Sequence, residues 1–402
     1  MTRSLRWYLT SNGFYLIPGG IQQVLFPWLV AVFLAETPER LGFAQMASQI
    51  PMVLLILWGG LLGDRIDQRK LLIGLQLLMI VPLIGMASLL STGDVYYELL
   101  LGWAIIGATL GAFAQPARDA LLNRVAGTDI QRVVTLAVGI QFGIQILGFI
   151  IGSGAEVFGP APLLLVQAFC MFCASVATAR IPKLPPIEQT PRRHPLKEIA
   201  DGLAHVYRSD IMRPATILTA AVGIFFAGSY MVILPLMVRD IYQGGATGIA
   251  MAFGANMLGT VTTISFIMRR GGLDYPGRAL LVVGTFSSVI LGLLHFDLPI
   301  WGFYGVIYFW GMCGGISMTM SRAIVQEAAP ASHRARIMSV YSLGMIGGIP
   351  IGSLVLGWSV GQWGAQNAVL IPAVGMLAVL ALLAATSKLW DIKRQPTVTT
   401  GE

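Results

Sequence analysis

The sequence predicts an all-α membrane protein of twelve transmembrane helices, arranged as two pseudo-symmetric six-helix bundles. The prediction rests on composition: 55% of the 402 residues are hydrophobic, 11% are charged, and the mean hydropathy is +0.74. A soluble domain of ordinary composition carries roughly 25% charged residues, so these few charges could not cover two or three soluble domains. Three cysteines exclude a disulfide-rich secreted scaffold, and the apolar content excludes disorder.

Apolar runs define the individual helices, since a helix needs about 20 mostly apolar residues to cross the hydrocarbon. Two sets of six such runs occur, separated by a polar break. The predicted spans are 8–34, 41–62, 71–91, 95–116, 133–155, 160–180, 213–238, 246–268, 279–296, 299–321, 336–359 and 366–389. Arg3 and Arg6 precede the first run, but that run is too long for the core of a secretory signal. We therefore expect the first span to be retained.

The polar break predicts the domain organisation. We expect an N-terminal bundle over 1–180, a cytoplasmic linker over 181–212, a C-terminal bundle over 213–390 and a cytoplasmic tail over 391–402. The linker begins rich in proline, and apolar residues then recur near helical spacing over 196–208. This pattern favours a short amphipathic helix at the cytoplasmic membrane surface. The alternative is an ordinary solvated connector.

The basic residues predict the orientation. With twelve spans and a cytoplasmic N-terminus, 24 of the 26 Lys and Arg residues fall on the cytoplasmic side, and only Arg40 and Arg239 fall outside. This asymmetry is typical of inner-membrane proteins and predicts that both termini face the bacterial cytoplasm. The net charge of +7 therefore reports topology. Nucleic acid is not expected as a partner, because binding it needs a basic stripe on one surface.

One residue pattern repeats between the two halves. Gly148 and Gly152 of the fifth span recur as Gly348 and Gly352 of the eleventh span, 200 residues later. Pairs of small residues at this spacing let the backbones of membrane helices approach closely. The repeat predicts equivalent helix packing in two related bundles.

The turn between the second and third spans carries a family resemblance. It has the form Gly-x-x-x-Asp-Arg-x-x-x-Arg-Lys and includes Gly60, Asp64, Arg65 and Arg69. In residue types, spacing and position it resembles the signature loop of the major facilitator superfamily, although Asp67 stands where many members have Gly. The segments 115–122, 194–198 and 326–339 are similar to the branch that contains the enterobactin exporter and the macrolide-efflux proteins. The resemblance covers roughly residues 8 to 389.

The resemblance implies secondary active transport. Two bundles would rock about one cavity, lined mainly by spans 1, 4, 7 and 10, and export a small amphiphilic molecule, siderophore-like or drug-like, by proton antiport. No cofactor is implied, since the proton gradient would supply the energy. When the cytoplasmic side closes, Asp64 would face the start of span eleven near Arg336. A carboxylate near a helix N-terminus contributes about 0.3–1 kcal/mol. The charged residues that could complete this gate are Arg65, Arg69, Arg118 and Asp119. The alternative is that these charges only set topology.

Polar residues inside the spans are the candidates for the substrate cavity. They are Asn12, Gln22, Gln23, Tyr230, Asn256, Tyr304, Tyr308 and Trp310. Such groups avoid lipid, so they face either the cavity or a neighbouring helix to which they hydrogen-bond. Acidic residues at mid-depth are scarce, which leaves Glu36 and Glu156 as candidates for proton coupling. A cavity of this composition suits an amphiphilic organic solute better than an inorganic ion.

Other functions are less well supported by the residues. A lipid or lysolipid translocator would use the same fold and is the alternative within transport. An intramembrane enzyme needs catalytic groups at membrane depth, but all four histidines lie in or beside loops. A channel would need a polar ring, and direct use of ATP would need a P-loop. Cys170 and Cys173 lie inside an apolar span and are expected to pack there without a metal. We expect a monomer.

Overall fold

The computed structural model describes residues 3–65, 67–126, 130–182, 195–270, 273–330 and 333–392. Within these residues, nine helices are long and apolar enough to cross a membrane. Three further helices, Pro38–Arg65, Ile300–Ala328 and Leu370–Thr386, occupy the remaining predicted spans. The prediction of an all-α membrane fold with twelve spans is confirmed.

Seven helices form the first half of the chain. They are α1 (Arg3–Trp28, extended by a π-helical turn Leu29–Phe33), α2 (Pro38–Arg65), α3 (Gln68–Thr92), α4 (Tyr97–Ala126), α5 (Ile130–Ser153), α6 (Ala155–Phe158) and α7 (Pro160–Ala179). The carboxylate of Asp67 accepts a hydrogen bond from the backbone N–H of Arg69 at 3.0 Å and so caps α3. The residue that departs from the family pattern thus starts a helix.

Eight helices form the second half. They are α8 (Pro195–Arg208), α9 (Met212–Ala221, followed by π-helical turns Val222–Ala227 and Ser229–Ile233), α10 (Leu234–Asp240), α11 (Ala246–Arg270), α12 (Pro276–Gly292, extended by a 3-10 turn Leu293–His295), α13 (Ile300–Ala328), α14 (Arg334–Ala368) and α15 (Leu370–Thr386). A short 3-10 turn, Leu389–Asp391, follows α15. The seventh predicted span therefore consists of α9, two π-helical turns and α10.

The same backbone conformation occurs at equivalent turns in the two halves of the chain. Gly159 (φ 81°, ψ 164°) precedes the sixth span, and Gly364 (φ 76°, ψ 161°) occupies the same conformation before the twelfth. Because L side chains rarely adopt a positive φ, glycine is required at both turns. Ala35 and Gln243, each at φ 51°, lie just after the first and seventh spans. The duplicated architecture is therefore visible in local conformation as well as in span number.

Close glycine contacts also repeat. A Cβ atom on Gly148 of α5 would lie 2.6 Å from the Cα of Gly20 in α1. In the second half, a Cβ atom on Gly348 of α14 would lie 3.0 Å from the carbonyl carbon of Gly223 in the seventh span. Gly152 extends the first contact towards Val24, and Gly352 is buried on α14. Both helix pairs approach too closely at these points for any larger residue.

Contacts between helices divide the chain into two units. Unit 1 comprises residues 1–195, 230–254 and 349–365, and unit 2 comprises residues 196–229, 255–348 and 366–402. Unit 1 therefore combines the N-terminal helices with α10, the first part of α11 and the later part of α14. The units follow contacts rather than chain order, and the predicted division at residues 181–212 stays a prediction.

The predicted linker helix is present as α8 in unit 2. Its carboxylate Asp201 lies 3.8 Å from the guanidinium of Arg336 at the start of α14. The rings of His205 and His333 stack at 4.2 Å beside this ion pair. These contacts attach α8 to α14, while its position at a membrane surface stays a prediction.

Candidate functional site

A cavity of about 320 Å³ lies inside unit 1 among α1, α2, α3, α4 and α7. We call it the glutamine cavity, because five glutamines line it: Gln22, Gln23, Gln45, Gln49 and Gln167. Its apolar walls include Phe26, Met79, Leu83, Trp103 and Met171. None of the lining residues is Asp, Glu, Lys, Arg or His. The cavity is therefore amphiphilic and uncharged.

Two polar atoms of the glutamine cavity have no hydrogen-bond partner among the described residues. They are the buried Oε1 of Gln22, an acceptor, and the buried Nε2 of Gln167, a donor. An unpaired buried polar group costs about 1–3 kcal/mol. By contrast, Gln23 accepts a hydrogen bond from Gln145 at 2.9 Å, and Gln45 donates to the carbonyl of Met231 at 3.2 Å. The cavity thus combines hydrogen-bonded amides with a buried acceptor and a buried donor that have no described partner.

Only some of the cavity residues that the sequence predicts in unit 1 line the glutamine cavity. Gln22 and Gln23 line the glutamine cavity. Asn12 is buried on α1, outside that lining, and its Oδ1 has no partner in the described part of the chain. Tyr230 stacks on Phe253, with ring centroids 4.3 Å apart. A role in substrate binding for Asn12 and Tyr230 stays a prediction.

The predicted cavity residues of unit 2 contact their neighbours there. The Tyr308 hydroxyl donates to Oγ1 of Thr262 at 3.2 Å, and Trp310 is buried edge-on against Phe226. The Asn256 carbonyl accepts a hydrogen bond from Thr260, and the Tyr304 ring packs against Trp301. The contacts of Tyr308 and Trp310 join different helices, as the alternative to substrate binding predicts, whereas those of Asn256 and Tyr304 lie within α11 and α13. Substrate contact by these four residues stays a prediction.

Sequence reasoning missed three glutamines of the cavity. Gln45 and Gln49 belong to α2 and Gln167 to α7, whereas the family resemblance directed attention to spans 1, 4, 7 and 10. A signal was available for Gln167, because a lone amide within an apolar span is costly unless something pairs with it. The sequence could not tell which of several such amides would share one cavity.

Charged residues of α4 lie near one edge of the cavity. Arg118 is buried and donates from Nη2 to Oε1 of Gln115 at 3.0 Å. Its guanidinium lies 4.5 Å from the ring centroid of Tyr15, which lines the cavity. Asp119 accepts a hydrogen bond from Gln115 at 3.3 Å. Arg118 and Asp119 are thus joined through Gln115, and their gating role stays a prediction.

The predicted cytoplasmic gate is described only in part. The side chains of Gly60, Asp64 and Arg65 lie outside the described part of the structure, and so does the predicted contact of Asp64. Arg69 donates from Nε to the carbonyl of Thr178 at 3.3 Å and from Nη2 to the carbonyl of Ala179. A cation at these last carbonyls of α7 stabilises the helix end. Arg69 therefore attaches α3 to the C-terminus of α7.

The opposite end of unit 1 contains a second set of charged contacts. We call it the outer end, because the charge pattern predicts that it faces away from the cytoplasm. Arg239 donates from Nη1 to the carbonyls of Ala31 at 3.1 Å and Glu36 at 2.9 Å. The side chain of Glu36 pairs with Arg40 at 2.9 Å. Arg40 and Arg239, the two basic residues that are predicted to lie outside, thus both form polar contacts at the outer end.

Glu156, the other coupling candidate, lies at the start of α11. Its carboxylate accepts hydrogen bonds from the backbone N–H of Ala246 at 3.1 Å and from Oγ1 of Thr247 at 3.3 Å. Ala246 is the first residue of α11, where unpaired N–H groups make the helix end electropositive. Glu156 is on α6 and therefore connects this short helix to the N-terminus of α11 within unit 1.

A glycine contact completes the outer end. A Cβ atom on Gly42 of α2 would lie 2.7 Å from the Cα of Gly357 in α14, and one on Gly357 would lie 2.6 Å from the Cα of Gly42. The two helices touch through their backbones at this point. Helices from both halves of the chain are therefore in direct contact at the outer end of unit 1.

Comparisons with known proteins agree with this architecture. The family described as "Transmembrane secretion effector" matches residues 6–398. Among solved structures, the crystal structure of the nucleoside transporter NupG matches with a TM-score of 0.77 at 14% identity, covering 98% of this chain and 100% of that chain. At this identity the likeness is one of fold.

Two curated relatives match over most of the chain. The staphyloferrin A transporter of Staphylococcus aureus (strain NCTC 8325 / PS 47) is 24% identical over 363 residues, which is 87% of this chain and 88% of that protein. The macrolide efflux protein A of Streptococcus pyogenes is 23% identical over 374 residues, which is 85% of this chain and 88% of that protein. Both names describe the movement of an organic compound.

Proposed function

Because the chain belongs to the transmembrane secretion effector family of major facilitator transporters, we propose that it exports a small amphiphilic organic molecule across the bacterial inner membrane. The observation that carries the proposal is the glutamine cavity. Its volume of about 320 Å³ and its mixture of amides and apolar walls match the small-molecule sites of other proteins. The names of the relatives, a siderophore transporter and a macrolide efflux protein, support the same class of substrate.

Alternating access is the proposed mechanism. In unit 1, α2 and α14 touch at the outer end, and Arg239 and Glu156 add polar contacts there. In the proposed mechanism these contacts hold the outer end closed, so release to the outside requires that they break. Each is a hydrogen bond or a van der Waals contact and can re-form without covalent change. The proposed motion is the rocking of two bundles about the bound substrate.

Proton antiport is the proposed energy source, with Glu156 as the coupling residue. Glu36 pairs with the cation Arg40, so protonation of Glu36 would leave that cation without its partner. The described partners of Glu156 are the neutral donors of Ala246 and Thr247. Protonation would weaken both contacts, because a neutral carboxyl group is a poorer acceptor and interacts less with the helix end. An outside proton would thereby favour opening of the outer end.

Lipid or lysolipid translocation is the second candidate function. Its support is the apolar wall of the cavity, where Phe26, Leu83 and Trp103 could contact an acyl chain. Five glutamines in the same lining favour a more polar solute, so export of an amphiphilic organic molecule is the first choice.

Transport in proteoliposomes tests both candidates. Purified protein is reconstituted and assayed with siderophores, macrolides and lysolipids, each with and without a proton gradient, beside protein-free liposomes. Gradient-stimulated movement of an organic compound is the expected result. Movement of lysolipid alone would replace the first candidate by the second. Transport at the same rate with and without the gradient would contradict proton antiport, but it would still support export.

A further inference from the structure

We infer that Gln22 and Gln167 form a subsite for an uncharged group that carries both a hydrogen-bond donor and an acceptor, such as a secondary amide. The inference rests on the proposed function and deepens it, because it names the chemistry that a substrate presents to the glutamine cavity. The carbonyl of such a group would accept from Nε2 of Gln167. Its N–H would donate to Oε1 of Gln22.

Gln167 supplies the hydrogen-bond donor of the subsite. It lies on α7, its residue is 2% exposed, and it lines the cavity. Its Nε2 is buried and finds no acceptor in the described part of the structure. Buried donors in folded proteins are nearly always paired, and a ligand in the cavity can supply the missing acceptor. A ligand that supplies it removes the cost of the unpaired donor.

Gln22 supplies the complementary atom. Its Oε1 is buried without a described donor, in the same cavity, on α1. The neighbouring Gln23 and Gln45 are already hydrogen-bonded to Gln145 and to Met231. Among the buried atoms of the lining, one acceptor and one donor thus lack a described partner, and a group with a single polar function could satisfy only one of them.

The lining also restricts the charge of the group that binds. It contains no ionisable side chain other than the phenol of Tyr15. Arg118 and Asp119 lie at one edge, outside this lining, so an ion beside Gln22 and Gln167 would lose its hydration without gaining a counter-charge from the lining, and we infer a neutral group. A charged group elsewhere on the same molecule remains compatible with this subsite.

The apolar walls favour ligands of varied shape. Met79 of α3 and Met171 of α7 line the cavity beside Leu83. Methionine side chains are flexible and polarizable, so they adapt to different apolar surfaces. The involvement of α3 and α7 places this part of the cavity within the N-terminal helices, beyond the four spans that the family resemblance predicts as the lining.

Matched probes test the inference without a known substrate. Binding of N-octylbenzamide, octyl benzoate and protonated N-octylbenzylamine to the full-length protein in nanodiscs is measured by isothermal titration calorimetry. The amide supplies a donor and an acceptor, the ester supplies only an acceptor, and the amine is charged. We expect the amide to bind roughly two- to tenfold more tightly than the ester, since that ratio corresponds to one net hydrogen bond. The amine should bind more weakly than either.

Variants assign the preference to the two glutamines. Gln22→Leu should remove the preference for the amide over the ester, and Gln167→Leu should weaken both probes by removing the shared donor. Gln362→Leu is the matched control, because Gln362 is exposed on α14 and lies outside the lining of the cavity, so this variant is expected to leave the preference unchanged. A folded variant is recognised by an unchanged elution profile and melting temperature. Equal binding of amide and ester by the unsubstituted protein, or an intact preference in Gln22→Leu, would overturn the subsite.

Transport of the same amide separates this inference from the proposed function. If the amide binds selectively but no probe or panel compound moves across proteoliposomes, the export proposal fails and the subsite stands. If compounds are exported while amide and ester bind equally, the subsite fails and the export proposal stands.

Discussion

The carboxylate of Glu156 and the backbone N–H of Ala246 are joined by a hydrogen bond of 3.1 Å, which sets a negative charge at the N-terminus of α11. The family resemblance predicts the same arrangement at the cytoplasmic end, between Asp64 and the start of span eleven. The described structure contains such an arrangement at the outer end, between Glu156 on α6 and the start of α11. Both positions use one physical device, the attraction of a carboxylate to an electropositive helix end.

Removal of the Glu156 charge should loosen the outer end. In Glu156→Gln the side chain can still accept a hydrogen bond but no longer carries charge, a loss of about 0.3–1 kcal/mol and therefore roughly a two- to fivefold shift towards the open state. The measurement is the rate at which a membrane-impermeant thiol reagent labels a cysteine introduced at Ser48, with the native cysteines replaced by serine. Glu98→Gln is the control, because that exposed carboxylate lies 3.9 Å from Arg40 and at the surface. Equal labelling rates in the two variants would contradict the role of Glu156.

Arg239 should stabilise the closed outer end more than Arg40 does, although both basic residues are predicted to lie outside. Arg239 donates to two backbone carbonyls, and hydrogen bonds from a charged group contribute about 1.5–3 kcal/mol each. Arg40 forms an ion pair with Glu36 at the surface, and ion pairs of exposed side chains contribute little to stability.

We therefore expect Arg239→Gln to speed labelling of the Ser48 cysteine at least tenfold, and Arg40→Gln to change it less than fivefold. Arg239→Lys should resemble Arg239→Gln, because lysine cannot hold the Asp240 carboxylate through two nitrogens, as Nε and Nη2 of Arg239 do, while a third nitrogen reaches the carbonyls. The reverse ranking of Arg239→Gln and Arg40→Gln would show that the carbonyl contacts do not hold the outer end closed.

A methyl group at the glycine contact should prevent closure of the outer end. In Gly357→Ala the new Cβ would lie 2.6 Å from the Cα of Gly42, and overpacking of this kind costs about 1–3 kcal/mol. Transport should fall, and labelling of the outer end should rise. Gly347→Ala is the matched control on the same helix, because a Cβ atom there meets nothing within 4 Å. Normal transport by Gly357→Ala would contradict the requirement for close contact.

Loss of the Arg69 side chain should reduce stability. Arg69 donates to carbonyls at the C-terminus of α7, and Arg69→Ala removes these bonds at a cost of about 1–3 kcal/mol. The expected result is a lower melting temperature in detergent, measured by intrinsic fluorescence. Lys70→Ala tests the specificity of the effect, since the neighbouring Lys70 is exposed. Equal losses in both variants would point to a general charge effect.

Part of the candidate site could be predicted from the sequence. Gln22 and Gln23 stand out as amides within an apolar span, and both line the glutamine cavity. Gln167 carries the same signal but belongs to a span outside the set implied by the family resemblance. Its role depends on contact among α1, α3, α4 and α7, and such contacts are made by residues far apart in the chain.

The sequence by itself determined the class, the number of spans and the duplication of the halves. These follow from local properties, because hydropathy decides which segments cross a membrane, and small residues mark where two helices can approach closely, as at Gly148 and Gly348.

Only the tertiary structure decided that Glu156 reaches α11, that Arg239 reaches α1 and that two unpaired glutamine atoms share one cavity. Each of these depends on a distance of a few ångströms between helices. Side-chain packing sets such distances, and they cannot be predicted from hydropathy.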